Sequence, residues 1–579
     1  MREKYTDEQN IQILISLLKK HNIKNIIASP GTTNISLVAS AQNDDFFNIY
    51  SCVDERSAAY IACGMAAQTG EPVVITCTGA TASRNYIPGL TEAFYRKLPV
   101  IAVTATQYLG RIGQNVAQVI DRSIQQKDLV KKSMVLDIIN TEEDKWNCNL
   151  KLNDILLECR RDGGGPVHIN MVTTYSNNFE CSTLPEERRI ERIYFMDKFP
   201  EIKTNNVAIF IGNHAYINDE LSNYIDEFCE KYNAVVLCDH TSNYYGKYKI
   251  LGSIICGQSE PNTLKNIDLL IDIGNVSGAY MSIKPKEVWR INPDGELRDT
   301  YRRLKYVFEM EEKDFFKKYN ELSKNNNEET SYYEKWLNEK NRLIKKFQKT
   351  DIPFSNIWIA NNIINKIDEN SIIHLGILNT LRAWNFFDIN KRIPIYCNTG
   401  GFGIDGIISA AIGSSLATDK NVYCFIGDLA FFYDLNSIGN REIKGNLRIL
   451  LVNNGGGTEF HNYNHRAKIV SKLYDMDSSY FAADGHFGNK SKDLVRHYAQ
   501  DLGFEYISAS TKEEFEKNVN RFIATEGNKK PIIFEIFTSS EDESEALKKV
   551  NTLDIGTKTV IKTIIGDKNV DRVKKILKR

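Results

Sequence analysis

Val422-Tyr423-Cys424-Phe425-Ile426-Gly427-Asp428-Leu429 carries an apolar run straight into Gly-Asp, and Ile449-Leu450-Leu451-Val452-Asn453-Asn454-Gly455-Gly456-Gly457 carries another into Asn-Asn and three glycines. Continuous apolar runs of this length, bounded by turn residues, read as strands buried on both faces, the condition of a parallel sheet covered by helices. Asp428 and Asn454, 26 residues apart, then each stand at a strand's carboxyl end, where open parallel sheets bind ligands. A carboxylate and an amide oxygen are hard donors that suit magnesium, which also takes diphosphate oxygens and water. Glycines 455–457 would let the backbone approach a phosphate and offer a carbonyl to the ion. Singly, Gly-Asp and Asn-Asn-Gly are ordinary turns after strands; paired at this spacing they point to a metal and diphosphate site.

Outward from these runs, strands are expected at Ile372–Leu375, Ile395–Cys397 and Ile532–Ile536, within a block from about Pro353 to Thr538. An earlier block alternates amphipathic helical stretches with Ile26–Ser29, Val73–Thr78, Val100–Thr104 and Val167–Met171. A middle block holds Val207–Ile211, Ala234–Cys238 and Leu269–Ile273. The expected fold class is α/β, with three doubly wound parallel-sheet domains at 1–180, 195–310 and 351–545. Residues 311–350 are rich in Glu, Lys, Asn and aromatic residues and lack glycine and proline, which predicts solvated connector helices. Residues 546–579 form a C-terminal tail, with one or two appended helices expected after Glu541.

The 73 basic and 74 acidic residues nearly cancel, so no global positive field favours nucleic acid or an anionic membrane. No run approaches the ~20 apolar residues of a membrane span. The eleven cysteines are odd in number and never fall in a C-x-x-C pair, which argues against a disulfide framework or zinc site and for a reducing, cytoplasmic setting. A small-molecule partner is expected.

Gly427-Asp428 through Asn453-Asn454 resembles the metal and diphosphate motif of thiamine-diphosphate-dependent enzymes of the pyruvate-decarboxylase and acetolactate-synthase superfamily. The resemblance covers nearly the whole chain. It implies thiamine diphosphate with Mg2+ or Mn2+, held by Asp428, the Asn454 side chain and the Gly456 carbonyl, with Gly427 and Leu429 beside the cofactor. It also implies pyrimidine-binding, central and diphosphate-binding domains in that order, and a homodimer or homotetramer with the active site at the subunit interface. Asp54-Glu55-Arg56-Ser57 precedes a helix, Ala58–Ala67, whose face Ala58, Ile61, Ala62 and Met65 should be buried. An Asp-Glu pair there can cap the helix; the resemblance instead makes Glu55 the carboxylate that handles the cofactor's proton. No motif in the central domain supports a flavin or other nucleotide, and Gly212-Asn213-His214 is too short a signal.

Ser29-Pro30-Gly31, Asp54-Glu55-Arg56-Ser57, Gly403-Ile404-Asp405-Gly406 and Asp434-Leu435-Asn436 together resemble the SEPHCHC synthase of menaquinone biosynthesis, which decarboxylates 2-oxoglutarate and adds the retained unit to isochorismate. By this likeness Ile404 is the bulky residue under the cofactor and Gln118 faces the reacting centre. The activity implied is decarboxylation of a 2-oxo acid and ligation of the enamine-bound unit to an acceptor. A simple decarboxylase releasing an aldehyde and a catalytically silent cofactor-binding relative are the alternatives. The departures fall on the substrate side: Thr33, Gln107 and Thr399 stand where the synthase has arginines, and neither residue type replaces a guanidinium fork. Thr32, Thr33, Gln107, Arg382 and His465 are the substrate-side candidates, with Arg382 either holding a carboxylate or forming an ion pair. His461 is the candidate proton donor in Glu459-Phe460-His461-Asn462-Tyr463-Asn464-His465, and His486 a weaker one.

Overall fold

The computed structural model describes residues 4–214, 217–279, 281–323, 331–484, 490–525 and 529–555. It divides into two compact units: the chain up to Asp197 with Asp294–Glu309, and Lys198–Pro293 with the chain from Met310 onward. Among the described residues no helix is long and apolar enough to cross a membrane.

In the first unit a parallel sheet runs in the order Asn48–Ser51, Asn25–Ala28, Val73–Cys77, Val100–Thr106, Val167–Val172, Lys132–Leu136. The strands Val73–Cys77, Val100–Thr106 and Val167–Val172 are buried at every residue, as a sheet covered on both faces requires. Two cores flank it, one gathering Leu14, Leu17, Val103 and Leu152, the other Ala58, Ala62, Ile75 and Leu90. The edge strands Asn48–Ser51 and Lys132–Leu136 escape the sequence reading because their residues are mostly half-buried or exposed, so no continuous apolar run marks them. The pair Glu191–Ile193 and Leu304–Phe308 is also parallel within this unit.

The second unit carries two more parallel arrays. Lys249–Leu251, Ala234–Cys238, Val207–Ile211, Asn266–Ile273 and Lys284–Ile291 lie side by side in that order, the 3-2-1-4-5 arrangement of a doubly wound fold. The other sheet runs Ile395–Tyr396, Ser371–Leu375, Asn421–Gly427, Leu447–Asn453, Ile532–Phe537, Glu505–Ala509. Numbered along the chain, its order is 2-1-3-4-6-5, identical to that of the first unit's sheet.

Three expectations need correction. The helix after Asp54 spans Glu55–Thr69 and buries Ala58, Ala59, Ala62, Cys63 and Ala66, whereas Ile61 is 46% exposed and Met65 half-buried. The small residues, not the large ones, face the core, because neighbouring elements come too close for longer side chains: a Cβ on Gly89 of the helix Ile87–Tyr95 would lie 2.4 Å from the Cβ of Ala59. The connector helices Glu312–Leu322 and Ser331–Phe347 are not solvated all round: Phe315, Phe316, Tyr319, Trp336 and Leu343 are buried, and Phe316 meets Phe228 edge to face at 5.4 Å. Finally, the last helix among the described residues, Ser540–Asn551, starts inside the expected third domain and runs across its boundary at 545, with Ala546, Leu547 and Val550 buried.

His240 joins the middle and last domains of the second unit. Its Nε2 donates to the carbonyls of Trp384 (3.1 Å) and Phe387 (3.0 Å), and Nδ1 is buried without a partner among the described residues. Burial pushes its pKa down to about 4. Below the unfolded value near 6.5 the unfolded chain binds the proton and the folded chain does not, so this stability is lost as pH falls from 6.5 towards 4. The expected loss is about 3 kcal/mol. In urea titrations followed by fluorescence, His240→Gln, which retains an N–H donor, should show an acid-induced loss smaller by that amount; parallel losses in the two proteins would refute the assignment.

Candidate active site

At the carboxyl ends of the two central strands of the last sheet, Asp428 opens the short helix Asp428–Tyr433 and Asn454 opens a glycine loop. Asp428 is 3% exposed. Its Oδ1 accepts from the amide of Leu429 (2.7 Å), and Oδ2 accepts from the amides of Asn454 (3.2 Å), Gly455 (2.8 Å) and Gly456 (3.0 Å). Burial pushes its pKa up to about 6, against the pull of those four amides. The loop needs its glycines: Gly455 has φ +93°, and a Cβ on Gly457 would lie 2.9 Å from the Cβ of Ala483.

Asn454 Oδ1 is buried and has no partner among the described residues. An orphaned buried acceptor beside a buried carboxylate fits a hard divalent cation, which would satisfy both. The Gly456 carbonyl accepts from Thr458 N (2.8 Å) and keeps a second lone pair.

Beyond the loop, the helix Thr458–His461 presents Glu459 and His461. Arg382 forms a two-point fork with Glu459, Nη1 to Oε2 at 2.8 Å and Nη2 to Oε1 at 2.9 Å, and also donates to Asn379 Oδ1 at 2.9 Å. Asn462 completes the cluster by donating to Asn379 (3.1 Å) and Glu459 (3.2 Å). Of the two roles open to Arg382, the ion pair is the one formed here. His461 Nε2 lies 2.8 Å from Asp484 Oδ1, and that carboxylate stands 3.8 Å from where a Gly456 Cβ would be, so the pair borders the glycine loop. His465 caps the next helix, Arg466–Tyr474, its Nδ1 accepting from Ala467 N at 3.1 Å. His486 lies outside the described residues.

Ile404 is half-buried and packs against the core containing Ala430, Phe431 and Ile426. Asp434 holds its segment in place by accepting from the amide and hydroxyl of Ser409, both at 2.7 Å, near the start of Ile407–Leu416. Thr399 is buried.

In the first unit, Asp54 rather than Glu55 caps the helix, accepting from Arg56 N (3.0 Å) and Ser57 Oγ (2.7 Å). Glu55 is free of that role and accepts from Asn85 Nδ2 at 3.1 Å. Asn85 was not legible as a partner, since it lies on the separate helix Thr81–Asn85 and carries no local signal. Thr33 is buried, its hydroxyl 2.6 Å from that of Thr78, while Thr32 is exposed. Gln107 accepts from Arg111 through its side-chain oxygen. Gln118 is exposed in a loop, with φ +63°.

Residues 10–126 match the thiamine pyrophosphate enzyme N-terminal TPP binding domain, and residues 379–536 match the C-terminal TPP binding domain. The chain belongs to the thiamine pyrophosphate enzyme family. Among relatives of this thiamine pyrophosphate enzyme is the 2-succinyl-5-enolpyruvyl-6-hydroxy-3-cyclohexene-1-carboxylate synthase of Phocaeicola vulgatus, 30% identical over 574 residues that cover 94% of this chain and 98% of the relative. The protein of the same name from Bacteroides thetaiotaomicron is 30% identical with the same coverage, and that from Flavobacterium johnsoniae is 28% identical over 93% of this chain and 97% of its own. The two matched segments contain Glu55 and Gln118 in the first and Ile404, Asp428, Asn454 and Gly456 in the second.

Proposed function

We propose that this protein decarboxylates a 2-oxo acid with thiamine diphosphate and a magnesium or manganese ion, and joins the retained unit to a second small-molecule acceptor. The observation that carries the reading is Asn454 Oδ1, a buried acceptor without a partner among the described residues, beside the buried carboxylate of Asp428. Asp428, Asn454 and the Gly456 carbonyl would hold the ion. When bound, the cofactor supplies a nucleophilic carbon and an electron sink, and the chain supplies placement and proton handling. Ile404 would support the bound cofactor, Glu55 would hold a proton at its carboxylate, and Gln118 would contact the substrate. His461, oriented by Asp484, is placed to give or take a proton beside the glycine loop. Supporting an oligomer with the site at its subunit interface are the large side chains left exposed on the first unit, including Tyr60 and Ile61. The eleven free cysteines suit a reducing, cytoplasmic setting.

Offering a panel of 2-oxo acids with candidate acceptors and identifying products by mass tests the reading: a coupled product supports it, whereas free aldehyde alone would make the enzyme a decarboxylase. The pair 2-oxoglutarate and isochorismate is expected to react poorly. By the resemblance to the synthase, Thr33, Gln107 and Thr399 stand where it has carboxylate-binding arginines, and Arg382 is engaged by Glu459. Each lost charged hydrogen bond costs on the order of 1.5–3 kcal/mol, so turnover should fall by several powers of ten relative to an enzyme that retains all three arginines. Efficient turnover, measured by acceptor consumption, would refute this.

A further inference from the structure

We propose that the first unit contains a binding site for a small carboxylic acid, built on the buried guanidinium of Arg122. Arg122 is 4% exposed and lines a cavity of about 250 Å³ together with Thr104, His168, Ser83, Arg84 and Gln125. Its Nη2 donates to the carbonyl of Ala105 at 3.1 Å, while Nε and Nη1 are buried with no partner among the described residues. A buried charge is costly unless paired, and buried donors are nearly always satisfied, so this geometry calls for an acceptor that the described residues do not supply.

The surroundings say what that acceptor is. Among the described residues Arg122 makes no ion pair. Its charged neighbour Arg84 is of like sign, and Cys77 is a thiol whose pKa burial pushes up to about 12. Asp121 lines the same cavity, but its Oδ1 is engaged by the amide (2.9 Å) and hydroxyl (2.6 Å) of Ser123. His168 sits between the hydroxyls of Thr104 (2.7 Å) and Ser133 (2.8 Å), and burial pushes its pKa down to about 3, so it stays neutral. The guanidinium itself, lowered by burial only to about 10, remains charged at neutral pH. The site is therefore net positive with several unused N–H donors, which matches an anion of carboxylate geometry. Its volume lies just under the ~300 Å³ at which pockets for drug-sized ligands begin, so the acid is small.

The loop also holds Arg122 where it is. A Cβ on Gly79 would stand 2.7 Å from the carbonyl of Gln118 and 3.9 Å from Arg122 Nη2, so the glycine lets the 118–122 segment close over the sheet. Gln125 Nε2 donates to the Arg122 carbonyl at 3.0 Å.

The test uses the full-length protein without thiamine diphosphate, so its outcome is independent of the function proposed above. In calorimetric titrations at fixed ionic strength, succinate should bind one per chain, and neutral succinamide and added chloride should not compete. Arg122→Gln should weaken succinate at least tenfold, and Arg122→Lys less. Ile124 is 89% exposed on the rim, so Ile124→Glu leaves the fold intact and should weaken succinate severalfold by charge alone. A thermal-unfolding midpoint and circular dichroism spectrum equal to the parent's verify that each variant is folded. No succinate binding by the parent, equal binding of succinamide, or undiminished binding in both Arg122→Gln and Ile124→Glu would overturn the proposal.

Discussion

Asp428→Ala is expected to abolish binding of thiamine diphosphate at ordinary magnesium concentrations. Asp428 supplies the only negative charge in the proposed ligand set of Asp428, Asn454 and the Gly456 carbonyl, and four backbone amides also depend on its carboxylate. Losing one charged interaction of about 3 kcal/mol would weaken the cofactor roughly a hundredfold, and the loop amides left without an acceptor would add to this. Asp428→Asn separates the two effects, because it keeps an acceptor oxygen for the loop while removing the charge. Calorimetric titration of the cofactor against both variants decides: weak binding in both assigns the loss to the charge, and unchanged affinity in the alanine variant would defeat the metal assignment.

Glu55→Gln should produce a protein that folds, assembles and binds the diphosphate, yet exchanges the acidic carbon proton of bound thiamine diphosphate for deuterium orders of magnitude more slowly than the parent. A capping role for Glu55 would predict the opposite, a stability loss of about 0.5–2 kcal/mol with exchange intact. The structure gives the cap to Asp54, which leaves Glu55 with at most the few tenths to 1 kcal/mol that a charge at a helix start contributes. Acid-quenched proton NMR in heavy water reads the exchange rate without knowledge of the substrate. Equal rates in the two proteins would remove Glu55 from the chemistry.

The buried strands were legible because a parallel sheet covered on both faces writes itself as unbroken apolar runs; Asn421–Gly427 and Leu447–Asn453 are the clearest cases. Edge strands such as Lys132–Leu136 left no such trace, since only Leu136 among them is buried. The metal and diphosphate end was equally legible, for its donors directly follow those runs. What escaped was non-local. That Arg382 pairs with Glu459 depends on a fold that brings together residues 77 apart. Whether Asp54 or Glu55 caps a helix cannot be read from two adjacent carboxylates that both suit the position. Arg122 went unnoticed because arginine is ordinarily an exposed residue, and its burial is a property of the loop that closes over Gly79.

The helix Ser540–Asn551 bears on how short a working chain can be made. Glu543 accepts from the backbone amide of Asn356 (3.0 Å), from its side chain (3.3 Å) and from the hydroxyl of Thr538 (2.9 Å), and burial pushes its pKa up to about 7. Ala546, Leu547 and Val550 follow on the same buried face, and the Val550 carbonyl accepts from Gln258 at 2.9 Å. A stop codon after Glu545 would spare the acidic anchor but strip away two large apolar side chains worth roughly 1.5–3 kcal/mol each. Such a chain would express as a weakened protein, so deletion series should leave this helix whole rather than cut at the edge of the strand Ile532–Phe537.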